Sequence, residues 1–319
     1  MIKKAIIQSL ELMPTSLRYR QGKRKNILVF ANRRGGSTLI RQMLSVDHGI
    51  RAINEPFAMF EINNASGKIK RDKLPGYFMS QFISVTEQEK IKILGYITDL
   101  LQGKHLPFKF YCRGERTLLK IVNAHPLIDL LTNNFDVQTM LFLRHPIAQA
   151  LSVVRNNWGF TAEAYLKNPG FLKKYCTKNQ VDFGNKLLTK GSKLGKAVLS
   201  WVFENLFPLK FSMCDKYILH YESMLMQPEK YINILADKFE IINKKKMYEV
   251  MHTPSYSVHR SNSDTIQRIK ESKKTELINA WLEKLSKPEK EKVQRILDYF
   301  EIDNYSAFDP MPVIREDYD

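Results

Sequence analysis

The sequence predicts an α/β protein: a single domain built on a parallel β-sheet flanked by helices. Three observations lead there. Short apolar runs alternate with stretches of helical periodicity along most of the chain. Two of those runs, at residues 26–31 and 138–143, end in a cationic turn and pass directly into a helix. A chain of 319 residues, 44% of them hydrophobic, also buries enough apolar surface for a sizeable core.

Strands are expected near 26–31, 117–122, 138–143 and 217–220, where Val, Ile, Leu and Phe dominate. Helices are expected near 37–45, 86–102, 125–133, 147–156, 195–206 and 228–239. Residues 1–25 form a basic N-terminal segment, 26–310 the α/β domain and 311–319 a C-terminal tail; helical and loop insertions are expected near 57–116 and 157–196.

The first turn lies within NILVFANRRGGSTLI, residues 26–40. Its glycines allow backbone N–H groups to approach an anion, and the helix that starts near Ser37 points its positive end at the same place. The segment therefore reads as a site for a phosphate or sulfate ester. No Gly-x-x-x-x-Gly-Lys-Ser/Thr pattern is present, and the cations Arg33 and Arg34 precede the glycines, which disfavours a nucleoside-triphosphate kinase. The second turn lies in TMLFLRHPIAQALSV, residues 139–153, with Arg144 at the strand end, Pro146 at a first helical position and Ser152 eight residues after Arg144. A guanidinium stands where a magnesium-dependent nucleotidase often has a metal-binding Asp, and a cation at that place can bind a phosphate directly, without a metal.

Together the two motifs resemble the sulfotransferase family that uses 3′-phosphoadenosine 5′-phosphosulfate (PAPS), in its carbohydrate and tyrosylprotein-like branch. The resemblance covers most of the chain and implies the P-loop-like sulfotransferase fold, with PAPS as co-substrate and no metal. It assigns Arg33, Arg34, Gly35, Gly36, Ser37 and Thr38 to the 5′-phosphosulfate, and Arg144 and Ser152 to the 3′-phosphate. Gly35 stands where the family usually has Ser. Arg260 and Ser261, in a polar segment where the family folds a loop over the nucleotide, are further candidates for the 3′-phosphate. His145 replaces the family's common Asp or Asn and is expected to be structural. Residues 218–228 and 281–299 look like the family's late strand with its Tyr-Glu turn and its C-terminal amphipathic helix.

Asn54-Glu55-Pro56-Phe57 resembles the family segment that carries a catalytic carboxylate. An acceptor hydroxyl is a poor nucleophile and must give its proton to a positioned group as it attacks sulfur, so Glu55 is the expected general base. Arg34 and Lys120, the latter resembling a lysine that some members bring to the sulfonyl group, complete the catalytic set. The implied reaction is in-line displacement onto an acceptor hydroxyl of a carbohydrate or glycolipid. The alternatives are a tyrosine O-sulfotransferase and a non-catalytic PAPS-binding relative.

A net charge of +17 suits a polyanionic ligand. Between residues 167 and 196 eight lysines stand against one acid, Asp182, which reads either as a solvated face or, with Arg155 and Trp158, as contact for an acidic glycan or anionic lipid. No compact nucleic-acid motif accompanies the charge, so no nucleic-acid partner is expected. Three scattered cysteines indicate a reducing compartment and no zinc site. Glu11 and Pro14 interrupt the opening apolar stretch, and no run approaches the ~20 residues of a membrane span, so a cytoplasmic protein is expected, with peripheral contact at the inner face of the membrane as a variant.

Overall fold

A computed structural model describes residues 22–57, 63–64, 67–68, 82–102, 115–254 and 263–313. Strand β1 (Asn26–Ala31) leads through the glycine turn into α1 (Ser37–Met43) and then β2 (Ile50–Asn54). Helix α2 (Glu87–Leu101), opened by a Thr86–Glu89 capping box, precedes β3 (Arg116–Ile121). A 3-10 turn at His125–Leu127 and α3 (Ile128–Asn134) lead to β4 (Val137–Leu143). Five helices follow: α4 (Pro146–Arg155), α5 (Ala162–Leu166), α6 (Pro169–Tyr175), α7 (Lys178–Lys190) and α8 (Lys193–Lys210). After β5 (Tyr217–His220) come α9 (Tyr221–Met226), α10 (Pro228–Lys238), α11 (Lys244–Met251), α12 (Ser263–Lys270), α13 (Lys274–Asn279) and α14 (Lys287–Tyr299). A two-residue antiparallel pair, Asn63–Asn64 with Gly67–Lys68, lies outside the main sheet.

The five strands pair in the order β2-β3-β1-β4-β5, all parallel. β1 is central and buried on both faces, as its unbroken apolar run requires. Leu28 and Phe30 face one core, with residues of α2, α3, α4, α8 and α14; Ile27, Val29 and Ala31 face the other, with residues of α1, α10 and α11. The chain leaves β1 toward β2 on one side and β4 toward β5 on the other. The crevice at the carboxyl ends of β1 and β4 is therefore the switch point where open α/β sheets bind ligands.

The four expected strands form within a residue of their predicted limits. β2 was not expected, because Arg51 breaks its apolar run; the guanidinium is nonetheless buried and donates to Thr117 Oγ1 at 3.0 Å. The lysine-rich insertion is helical as α5 to α8, with Val181, Phe183, Leu187 and Leu188 of α7 packed on the core. Among the described residues no helix is long and apolar enough to cross a membrane.

Candidate functional site

Both cationic turns emerge on the same crevice, at the ends of adjacent strands. Asn32, the first residue after β1, is fully buried; its carbonyl accepts the Gly35 N–H at 3.0 Å and closes the turn. Arg34 follows with φ 62° and Gly36 with φ 87°, both left-handed. At Gly36 the conformation and the packing each demand glycine, since a Cβ there would stand 2.9 Å from the Tyr221 ring. Leu39 and Ile40 then donate to the Gly36 carbonyl as α1 begins.

At the end of β4, Arg144 lays its guanidinium 4.8 Å from the Tyr221 ring centre and donates from Nη1 to the Arg34 carbonyl at 3.1 Å. Arg34 in turn donates from Nε to Ser152 Oγ at 3.0 Å. The two motifs are thus joined through their own side chains. Arg33 is held separately: its Nε donates to Asn123 Oδ1 at 3.0 Å, and its carbonyl accepts from Gln149 Nε2 at 2.8 Å. The Trp158 ring lies 5.8 Å from the guanidinium carbons of both Arg33 and Arg34.

His145 caps α4, its Nδ1 accepting from the Ile147 N–H at 3.2 Å. That acceptor role leaves Nε2 protonated to donate to the carbonyls of Ser306 and Asp309, at 3.0 and 3.1 Å. Burial lowers its pKa to about 4, so the ring is neutral, stacked 4.4 Å from Trp281. The His145 N–H donates to Glu222 Oε1, whose other oxygen accepts from Tyr305. Burial raises the pKa of Glu222, against the opposing pull of these bonds and of Arg144. The Tyr-Glu pair after β5 therefore supports the second turn from beneath.

On the other side of β1 from β4, Glu55 sits one residue beyond β2 with φ 53°, a left-handed conformation unusual for a side-chain-bearing residue. Its N–H donates to the Lys120 carbonyl at 2.8 Å, continuing the β2–β3 ladder, and Pro56 offers its carbonyl to Tyr96 at 2.9 Å. Lys120, 2% exposed at the end of β3, donates from Nζ to Glu55 Oε1 at 2.7 Å. Burial lowers the Lys120 pKa, while Glu55 pulls it upward and Arg41 adds a smaller lowering.

A cavity of about 900 Å³ unites these groups. Arg33, Arg34, Gly36, Ser37, Thr38, Glu55, Lys120, Arg144 and Ser152 all line it. Gly35 does not, because its N–H is turned inward to Asn32. Arg260 and Ser261 lie outside the described residues. Arg155 and Trp158 are on the wall, whereas none of the eight lysines between 167 and 196 reaches it. Sequence reasoning did not assign Arg268, Lys274 and Lys284 to this wall, although their excess of positive charge was visible after the polar segment. Among the described residues eight lysines and arginines line the cavity against one carboxylate, Glu55. No group of three or more His, Cys, Asp or Glu among the described residues is arranged to hold a metal ion.

No protein-family model matches the chain. No curated protein matches it either. Among solved structures it is similar to a mouse sulfotransferase, SULT7A1, complexed with PAP, at 12% identity over 93% of this chain and 88% of that one, with a TM-score of 0.41. It is also similar to the sulfotransferase domain from the curacin biosynthetic pathway, at 15% identity over 88% and 99% of the two chains, with a TM-score of 0.44. A third is the sulfotransferase domain from the Synechococcus PCC 7002 olefin synthase, at 15% identity over 89% and 98%, with a TM-score of 0.42. At these identities and scores the likenesses say nothing about substrate.

Proposed function

We propose that the protein is a PAPS-dependent sulfotransferase. The observation that carries the reading is the joining of Arg34, Arg144 and Ser152 in the lining of one cavity that the Glu55–Lys120 pair also lines. The donor set fits a polyanion: guanidiniums from two strand ends suit two separate phosphate groups, and the arginine fork matches phosphate oxygens geometrically. Arg33 and Arg34, with the amides of Gly36 to Thr38, are assigned to the phosphosulfate end; Arg144 and Ser152 are assigned to the 3′-phosphate.

In this reading the acceptor oxygen forms a bond to sulfur as the bond from sulfur to the bridging phosphate oxygen breaks. The electron pair stays on that oxygen. Arg34 and the turn amides are assigned to the oxygen where the new charge develops, which would lower the barrier. Glu55 takes the acceptor's proton. Its Oε1 accepts from Lys120, which leaves Oε2 for the hydroxyl, and the buried ammonium is assigned to the sulfonyl oxygens. The proposed acceptor is a carbohydrate or glycolipid hydroxyl, resting on the carboxylate base and its Asn-Glu-Pro-Phe setting. The exposed lysines of α6 and α7 are proposed as the contact for an anionic membrane surface, tested by salt-dependent co-sedimentation with phosphatidylserine vesicles.

Isothermal titration with adenosine 3′,5′-bisphosphate, with ATP and 5′-AMP as controls and no added magnesium, tests the nucleotide assignment. Selective binding of the bisphosphate supports it and justifies an acceptor screen with labelled PAPS. Equal or absent binding of the three overturns it.

A further inference from the structure

The cationic turn is gripped from below by a carboxylate. Glu204, on α8 and 5% exposed, accepts from Asn32 Nδ2 at 2.6 Å through Oε2 and from Thr161 Oγ1 at 2.8 Å through Oε1. The next residue, Asn205, donates from Nδ2 to Asn32 Oδ1 at 3.0 Å. Both ends of the Asn32 amide are thus fixed by consecutive residues of one helix, while the Asn32 carbonyl closes the turn on Gly35.

A carboxylate is an expensive choice for this place. Removing it from water is costly unless partners compensate, and replacing such a buried polar group together with its partners by apolar residues is often neutral or stabilising. It also lies beneath a surface that would hold a polyanion, where negative charge opposes ligand. Burial raises the Glu204 pKa, and the bonds from Thr161 and Asn32 with the charge of Arg33 offset that only in part. What the carboxylate supplies is geometry: two acceptor oxygens in a fixed fork, one toward the turn and one toward the start of α5.

We infer that Glu204 is the positioning residue of the anion-binding turn, holding Asn32 so that the Gly36 to Thr38 backbone and the Arg34 side chain are presented to the ligand before it arrives. The inference rests on the anion-binding reading of that turn. Glu204 touches no ligand itself and acts through Asn32.

Affinities for adenosine 3′,5′-bisphosphate and for inorganic pyrophosphate, measured by titration alongside thermal denaturation, test it in the whole protein. Glu204→Gln is expected to bind both within about threefold of wild type, because the amide oxygen accepts from Asn32 and its nitrogen donates to Thr161 Oγ1. Glu204→Met is expected to lose about tenfold or more in both affinities while remaining folded at the assay temperature, whereas Glu204→Gln keeps both, a split that a purely structural role does not produce. Should Glu204→Met fail to fold, Asn32→Ala decides, with the same tenfold loss expected. Wild-type affinity in Glu204→Met or in Asn32→Ala overturns the inference. If wild type binds pyrophosphate alone, the nucleotide reading falls and the Glu204 comparison stands on pyrophosphate; if it binds neither, both fall.

Discussion

Arg144 reaches from the end of β4 to the carbonyl of Arg34, 110 positions earlier in the chain, at 3.1 Å. Arg34 carries a left-handed backbone and spends its own Nε on Ser152, so each motif stabilises the other's working conformation. Arg144→Ala is therefore expected to damage both ends of the site. Loss of a charged contact to phosphate costs about 1.5–3 kcal/mol, or roughly tenfold to a hundredfold in bisphosphate affinity. Pyrophosphate affinity should fall as well, although Arg144 is assigned to the other phosphate. Titration of both ligands checks this, and an unchanged pyrophosphate Kd would show that the link between the motifs carries no energetic weight.

Glu55→Gln is expected to keep bisphosphate affinity within about twofold while turnover falls by roughly two or more orders of magnitude, the scale of general-base loss. Lys120→Met should also lower turnover. Because the two side chains are bonded at 2.7 Å, the double variant should be little worse than the poorer single one. Steady-state kinetics with the three proteins decides, and near-normal turnover in Glu55→Gln removes that residue from the role.

Gly36→Ala places a Cβ against Tyr221 at φ 87° and should cost about 1–3 kcal/mol of stability together with most of the ligand affinity. Gly95→Ala, in α2 with none of the described residues within 4 Å of the added Cβ, serves as the contrast. It should be neutral or stabilise by up to about 1 kcal/mol. Urea denaturation of the pair separates backbone strain from a general intolerance of substitution.

Three histidines govern the acid side of the stability profile. Burial lowers His125, His145 and His220 to about 4 from the ordinary 6.5. The folded protein holds them neutral, so their contribution is full above about pH 6.5 and is lost as pH falls toward 4, by about 3 kcal/mol each. Burial raises Glu204 and Glu222, which work in the opposite sense: their stabilising contribution is complete below the ordinary carboxylate range and declines as pH rises through their folded values. Among the described residues His125 has no hydrogen-bond partner at either ring nitrogen, so His125→Leu should raise Tm and flatten the loss between pH 6.5 and 4. Denaturation across that range is the measurement; an unchanged slope refutes the assignment to His125.

Most of the sheet was legible because parallel strands covered on both faces are apolar along their buried length, and residues 27–31 and 140–143 are. The Arg144 to Ser152 spacing was legible because strand end, Pro146 and helix are local in sequence. β2 was hidden because its Arg51 is buried and donates to Thr117, 66 positions away. α7 was hidden for a different reason: its apolar stripe is set among lysines, and charge outweighed periodicity. Tyr221 beneath Gly36 and Glu204 beneath Asn32 are tertiary relationships with no local pattern to betray them.

The carbonyls that hold His145 belong to Ser306 and Asp309, 161 and 164 positions further along the chain. On the ribosome, a nascent chain that has emerged through α4 already carries Arg144 and Ser152 but not the residues that brace the turn between them. Contacts of such sequence separation form late, after loop closure has been met. If the crevice binds the proposed nucleotide, that competence is among the last properties the chain acquires, and nucleotide binding during synthesis would report the docking of residues 305–309 rather than the folding of the sheet.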